Sequence, residues 1–401
     1  MPAKTLSIGL IATLAICAAP LFATSRFFTG KILYGFESYS GDGAYPRAGL
    51  VVDPAGNLFG TTNLGGAYDD GAVFELIRKA GGEWTEKILY SFKDGADGAF
   101  PTAAVILDTA GNLYGTTSAG GSNAQGTVFE LTPKAGGVWS EKVLHSFGNG
   151  KDGERPYAGL VLDNGNLYGT TYVGGAEGLG TVFELAPKTG GKWAERVLHS
   201  FSGEDGVSPY AGLVTDAAGD LYGTTYAGGA GGLGTVFELT SSGAKWAEKV
   251  LHSFSGADGE YPTAGLVFDH AGNLYGATET TIFELTRKAG GGWTESVLNN
   301  SGTENNLIFG DGGNLYGTTP YGGTTNNGSV FELAHKAGGK WTYLSLYDFL
   351  GAANGDGANP LAGLALDRSG NMYGTTYSGG PNDEGTVFEM VHQLSKMVKN
   401  Q

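Results

Sequence analysis

Gly165-Asn166-Leu167-Tyr168-Gly169-Thr170-Thr171 decides the fold, because it recurs through the chain. Near-copies begin at Gly56, Gly111, Gly165, Gly219, Gly272, Gly313 and Gly370, with Phe59, Asp220, Ala277 and Met372 as substitutions. The intervals are 55, 54, 54, 53, 41 and 57 residues. A period of that size, filling most of 401 residues, marks a repeat architecture in which neighbours bury a common core.

Outward from the heptapeptide, each repeat reads as four strands. In residues 193–239 the first is Trp193 to Phe201, rich in β formers. A turn cluster with Asp205-Gly206 and Pro209 follows. Tyr210 to Asp216 is the second strand, Leu221 to Tyr226 the third, and Thr235 to Leu239 the fourth. No segment carries a useful helical period. Four short antiparallel strands per repeat describe a propeller blade, so the expectation is an all-β, seven-bladed β-propeller. The N-terminal stretch Phe27 to Phe36 repeats the Trp-bearing strand, with Phe28 in the Trp place, whereas the last repeat lacks that strand. Residues 28–36 should therefore pair with 385–391 and close the ring, leaving no unpaired edge. The Trp-bearing strand should be outermost and Ala-Gly-Leu-Val innermost, since backbones crowd at the axis.

The expected organisation is a signal peptide over residues 1–25, a propeller over 26–391 and a polar tail over 392–401. A basic start, the apolar run Leu6 to Phe22 and small residues at Ala23 to Ser25 form the three-part secretory pattern. Secretion or a periplasmic location follows, with no membrane span in the mature chain. The single cysteine, Cys17, lies in this segment, and Ile16 before it fits poorly with lipoprotein processing. Glycine is 72 of 401 residues without a triplet period, so the glycines read as turns. The net charge of −16 argues against nucleic-acid or anionic-membrane partners, which need basic patches.

The recurring blocks Pro-x-Ala-Gly-Leu-Val-x-Asp, Gly-Asn-Leu-Tyr-Gly-Thr-Thr, Gly-Thr-Val-Phe-Glu-Leu and Trp-x-Glu-Lys-Val-Leu-x-Ser-Phe resemble the GloVer tandem repeat. The resemblance covers roughly residues 28–391. It implies export and a propeller-like array, and no established activity. The short polar tail differs from the anchored members. The strand order is also loosely similar to NHL-type blades.

A residue present in every blade is expected to build the blade. The six tryptophans, 84, 139, 193, 246, 293 and 341, share one position and read as packing between blades, the alternative being an aromatic ring around a ligand. Glu75, Glu130, Glu184, Glu238, Glu284, Glu332 and Glu389 fill another column, with the Thr-Thr hydroxyls and the Lys or Arg after the Trp as expected partners. His145, His199 and His252 interchange with Tyr34, Tyr90 and Tyr347, which suggests packing with a polar tip. Three such histidines on successive blades should diverge from one another rather than share a metal. The Asp-Gly-x-x-Pro loops read as turns. A weaker alternative makes Asp97, Asp152, Asp205 and Asp258 a calcium rim, without the dense spacing of a dedicated loop. No other cofactor is implied.

The 41-residue interval is the break in the pattern. About seven residues are missing after Ala277 and about six between Trp293 and Gly313. Both losses fall on the same face and should leave a notch between blades 5 and 6, floored by Glu279, Asn299, Asn300, Asn305 and Asn306. Tyr172, Tyr226, Tyr321 and Tyr377 should point to the same side, and aromatic faces with amides suit sugars. The plainer reading is a degenerate repeat. The leading functional expectation is a monomeric, non-catalytic binding or scaffold module with a carbohydrate or protein partner. The alternatives are a lyase or glycosidase using loop-face carboxylates, and a cell-surface spacer.

Overall fold

A computed structural model of the chain describes residues 28–37, 41–243, 245–310, 312–336 and 338–392. The signal segment with Cys17 and the tail beyond residue 392 lie outside the described residues. Among the described residues no helix is long and apolar enough to cross a membrane.

Seven four-stranded antiparallel sheets form the blades of a β-propeller. Blade 3 shows the pattern: Val161–Asp163 innermost, then Asn166–Thr171, Thr181–Lys188 and Lys192–Ser200 outermost. The heptapeptide spans the turn before the second strand and the strand itself. Gly165 adopts φ of +83°, which serves the turn. Gly169 is needed for a different reason. A Cβ there would lie 2.6 Å from the Phe183 ring on the next strand, so this glycine makes room for an aromatic and is not a turn.

The ring closes as the orphan N-terminal strand suggested. Phe28–Gly35 pairs antiparallel with Thr386–His392 and becomes the outer strand of blade 7, outside Ala365–Leu366 and Met372–Thr376. The first and last blades share a sheet, so neither leaves an open edge between them.

Two layers of aromatic contact hold neighbouring blades together. The tryptophan column packs edge-on against the heptapeptide tyrosine of the preceding blade, as in Tyr168–Trp246 at 6.1 Å. Phe59 takes the tyrosine's part against Trp139, and Phe28 takes the tryptophan's part against Tyr316. The packing reading of the tryptophans holds in all of these pairs. Deeper in, at every interface except that of blades 5 and 6, the phenylalanine that ends an outer strand meets the ring on the next blade's third strand, as in Phe147–Phe183 at 5.0 Å. Both of those rings are fully buried, and each contributes about 2–3 kcal/mol from area alone. Hydrogen bonds add a third connection. Thr170 Oγ1 donates to the Ala211 carbonyl on the next blade at 3.1 Å, and Thr375 to that of Ala48 across the closure at 2.8 Å. Near the axis the backbones crowd as expected: a Cβ on Gly363 would sit 2.8 Å from the Asn306 carbonyl oxygen.

Candidate functional site

The residue after the proline in Pro-x-Ala-Gly-Leu differs from blade to blade. Arg47, Thr102, Tyr157, Tyr210, Thr263 and Leu361 occupy it, with Glu304 at the matching place in blade 6. These seven side chains surround one mouth of the axial channel and line a cavity of about 530 Å³. The backbone before the proline aims them. Tyr45, Phe100, Arg155, Ser208, Tyr261 and Asn359 each adopt φ between 53° and 55°, an uncommon conformation for a residue with a side chain. Each is held by its N–H bonding a carbonyl of the preceding blade, as in Ser208 to Leu179 at 2.8 Å. The signal lies in the sequence as a varied letter inside a repeated block. Recurrence marks the constant positions of the block and leaves this one unmarked.

Tyrosines pave the mouth. Tyr157, Tyr172 and Tyr210 form a three-ring cluster with centroids 5.3–6.1 Å apart. Tyr226 stacks on Tyr261 at 5.1 Å, and Arg47 lies over the Tyr377 ring at 5.5 Å. Three of the four tyrosines expected on this face therefore pack against the rim. The fourth, Tyr321, stands 61% exposed and lines a second cavity of about 310 Å³ beside Glu279, Thr303 and Tyr343.

That second cavity is the notch between blades 5 and 6. It shares Glu279 and Glu304 with the axial cavity, so the two carboxylates stand where the spaces meet. The Tyr226 hydroxyl donates to Glu279 Oε1 at 3.4 Å. Glu304 is open to the cavity, yet enough protein crowds it that desolvation pushes its carboxyl up, with the like charge of Glu279 adding. Across the mouth, burial raises the Tyr210 hydroxyl, while Arg47 lowers it and Glu304 raises it.

The expected asparagines scatter. Asn306 reaches the axis, where its Oδ1 accepts the Gly265 N–H at 2.6 Å. Asn305 is buried and bonds Thr318 Oγ1 and the Pro360 carbonyl, each at 2.8 Å, so it joins blades 6 and 7. Asn299 caps a local turn by accepting the Ser301 N–H at 2.7 Å. Neither Asn299 nor the exposed Asn300 lines either cavity. The feature missed beforehand is Glu304.

The repeated glutamate column has a partner other than the one expected. The heptapeptide tyrosine donates to it across the strand, at 2.7 Å in Tyr222–Glu238 and 2.8 Å in Tyr316–Glu332. The cation after the tryptophan joins at Arg196–Glu184, 2.7 Å. The Thr-Thr hydroxyls are mostly engaged elsewhere: the first staples the next blade, and the second bonds a hydroxyl on the third strand, as in Thr171–Thr181 at 2.8 Å, except Thr62, which faces Ala72 and has no partner. They cannot do both.

The aspartates and the His/Tyr column prove to be one device. Tyr34, Tyr90, His145, His199, His252 and Tyr347 meet Asp42, Asp97, Asp152, Asp205, Asp258 and Asp356 at 2.7–3.0 Å. The carboxylates thus turn onto the outer strands instead of forming an open calcium rim. The histidines do not converge on one another, and each belongs to its own interface.

The sequence profile described as the Gloeobacter/Verrucomicrobia repeat matches residues 23–191 and 105–291, together well over half the chain. The chain belongs to the Gloeobacter/Verrucomicrobia repeat family. A search of curated proteins finds no match. Among solved structures, this repeat protein is similar to virginiamycin B lyase from Staphylococcus aureus, at 14% identity and TM-score 0.57, covering 91% of this chain and 99% of that one. It is also similar to a candidate 6-phosphogluconolactonase from Bacteroides fragilis, at 16% identity and TM-score 0.55, covering 81% and 88%. A third is the extracellular domain of a candidate hybrid two-component system from Bacteroides thetaiotaomicron, at 11% identity and TM-score 0.53, covering 90% and 39%. These likenesses carry the fold. They correct the expectation of a non-catalytic module only this far: proteins named as enzymes share the fold, so the fold gives that expectation no support. They assign it no reaction.

Proposed function

We propose that the junction of the axial cavity and the notch is an acid–base catalytic site for glycosides that carry an anionic group. The observation that carries this reading is the pair Glu279 and Glu304, facing Arg47 in a single cavity with a tyrosine-lined wall. Glycoside hydrolysis needs one carboxyl that keeps its proton and a second that is ionised. Burial and Glu279 together push Glu304 toward the protonated form, which suits it to protonate the leaving oxygen. Glu279 then supplies the negative charge that stabilises an oxocarbenium-like centre or activates water. Arg47 offers a fork for a carboxylate or sulfate on the sugar, and the Tyr157–Tyr210 pair offers ring faces. The notch lets a chain longer than one sugar leave the cavity sideways. The chain is proposed to work outside the cytoplasm as a monomer, a placement supported by the secretory pattern of its N-terminus.

The test is a turnover assay on aryl glycosides and acidic polysaccharides, with Glu304→Gln and Glu279→Gln beside the parent. Each substitution should lower kcat at least 100-fold while a bound product still protects the protein thermally. Full activity in both variants, or no turnover by the parent on any acidic glycan, overturns the proposal.

A further inference from the structure

On the outer strands, a third residue joins the three His–Asp pairs and two of the Tyr–Asp pairs. It is the glutamate two places after the tryptophan, supplied by the following blade. At the interface of blades 3 and 4 the three are His199, Asp205 and Glu248. At blades 4 and 5 they are His252, Asp258 and Glu295. In each group one nitrogen and two carboxylate oxygens lie within 4.8 Å of one another. The histidine Nε2 atoms already stand 2.8 and 3.0 Å from Asp205 and Asp258. The remaining oxygens of those aspartates are held by Ser202 and Ser255, which fixes the orientation of the carboxylates. Glu248 Oε1 and Glu295 Oε1 are shut off from solvent and face no hydrogen-bond donor. A buried carboxylate oxygen beside a second carboxylate is costly unless it keeps a proton, as at Glu86 and Glu141, or a cation lies between them, and at these two interfaces an imidazole nitrogen completes a set of three ligand atoms.

We propose that His199–Asp205–Glu248 and His252–Asp258–Glu295 are two divalent transition-metal sites that tie blades 3, 4 and 5 together. One imidazole nitrogen and two carboxylates suit Zn²⁺ or Mn²⁺, with water completing the shell. Ligand atoms around a tetrahedral Zn²⁺ at ~2.0–2.2 Å are spaced by about 3.3 Å, within reach of small side-chain rotations here. Ca²⁺ prefers six to eight oxygens and has no use for the imidazole. The histidines are about one-fifth exposed, so an ion can enter from solvent.

The chain contains its own comparisons. Histidine stands in this column at three interfaces, and at all three both carboxylates are present. Tyrosine replaces it at Tyr34–Asp42–Glu86 and Tyr90–Asp97–Glu141, where a phenol hydroxyl donates to the aspartate instead. Between blades 5 and 6 the set is lost together: Asn299 stands for the histidine, Tyr343 for the glutamate, and the Asp-Gly loop is missing.

Tag-free protein, stripped with a chelator, is titrated with Zn²⁺ and Mn²⁺ by calorimetry, and retained metal is counted by mass spectrometry after desalting. About two equivalents are expected. Glu248→Gln and Glu295→Gln should each remove one, and the double variant both. Glu86→Gln and Glu141→Gln, at the tyrosine interfaces, should leave the count unchanged, and circular dichroism checks that every variant is folded. A third equivalent lost on Glu195→Gln supports the same chemistry at His145–Asp152. Failure to retain either metal, an unchanged count in the folded double variant, or saturation by Ca²⁺ alone overturns the assignment.

Discussion

Replacing Glu86 by glutamine should stabilise the propeller in mild alkali and leave it nearly unchanged in acid. Glu86 sits between blades 7 and 1 beside the Tyr34–Asp42 pair, and its Oε1 is buried without a donor. Burial, with Asp42 adding, lifts its carboxyl from 4.5 to about 8. A carboxyl raised in the folded state favours folding only while it keeps its proton. The native state therefore binds more protons than the unfolded chain between those two values, and stability falls as pH rises from 4.5 toward 8. At ~1.4 kcal/mol per unit the full loss approaches 5 kcal/mol. Partial contact with solvent reduces this by roughly half, to about 2 kcal/mol. Glutamine has the shape of the protonated acid and does not titrate, so Glu86→Gln removes this loss. Thermal unfolding followed by circular dichroism at pH 5 and pH 8.5 should show a shift under one degree in acid. In alkali the rise should be about 2–3 °C, taking ~2.1 cal/mol/K of unfolding entropy per residue. Equal shifts at both pH values, or a parent that is the more stable at pH 8.5, would refute the reasoning. The other pH-sensitive groups cancel in the comparison.

Blade 1 has Phe59 where six blades place the tyrosine that donates to the glutamate column, and burial raises the carboxyl of Glu75, with Lys87 partly opposing. Phe59→Tyr should add that bond and stabilise by about 1 kcal/mol; a lower urea midpoint would show that the hydroxyl does not fit. Tyr343 stacks on Phe331 at 5.0 Å and lines the notch. Tyr343→Ala should cost about 2 kcal/mol, less than a fully buried aromatic because the ring is half-buried, and an unchanged midpoint would mean the ring packs against little.

Repetition made the fold legible, and it made the site hard to see. The heptapeptide counted the blades, and the Phe28 strand showed how the ring closes, because both signals are local and periodic. Pairings between columns were less accessible. The Glu238 carboxylate could be assigned to hydroxyls by chemistry, but only the cross-strand register puts the Tyr222 hydroxyl nearest. Asp205 and His199 form two separate columns in the sequence, because six residues and a chain reversal separate them. The notch was legible as missing residues. Which side chains face it was not, since Asn305 turns inward while Glu304, next to it, turns to the cavity.

The interface of blades 5 and 6 is better understood as rebuilt than as decayed. Three devices that join other blades are missing there. Ala277 has no hydroxyl to staple the next blade, the phenylalanine ending the outer strand is gone, and so is the Asp-Gly loop. Each has a replacement. The Asn306 side chain accepts the Gly265 N–H near the axis. Tyr343 lies flat on Phe331 of its own blade, where the edge-on phenylalanine of the preceding blade packs elsewhere, so here the ring is covered from within blade 6. Thr303 bonds the Thr278 carbonyl through its N–H and the Thr318 carbonyl through its hydroxyl, so the shortened segment is tied to both blades. A blade contact that had merely eroded would leave buried groups without partners and a weakened ring. Here the contacts are kept with fewer residues, and the volume released becomes the cavity where Glu279 and Glu304 meet. Those two carboxylates receive no cation from the rebuilt segment. Burial and the like charge of Glu279 raise the Glu304 carboxyl where the ring also opens to the side, which suits the proposed role of holding a proton.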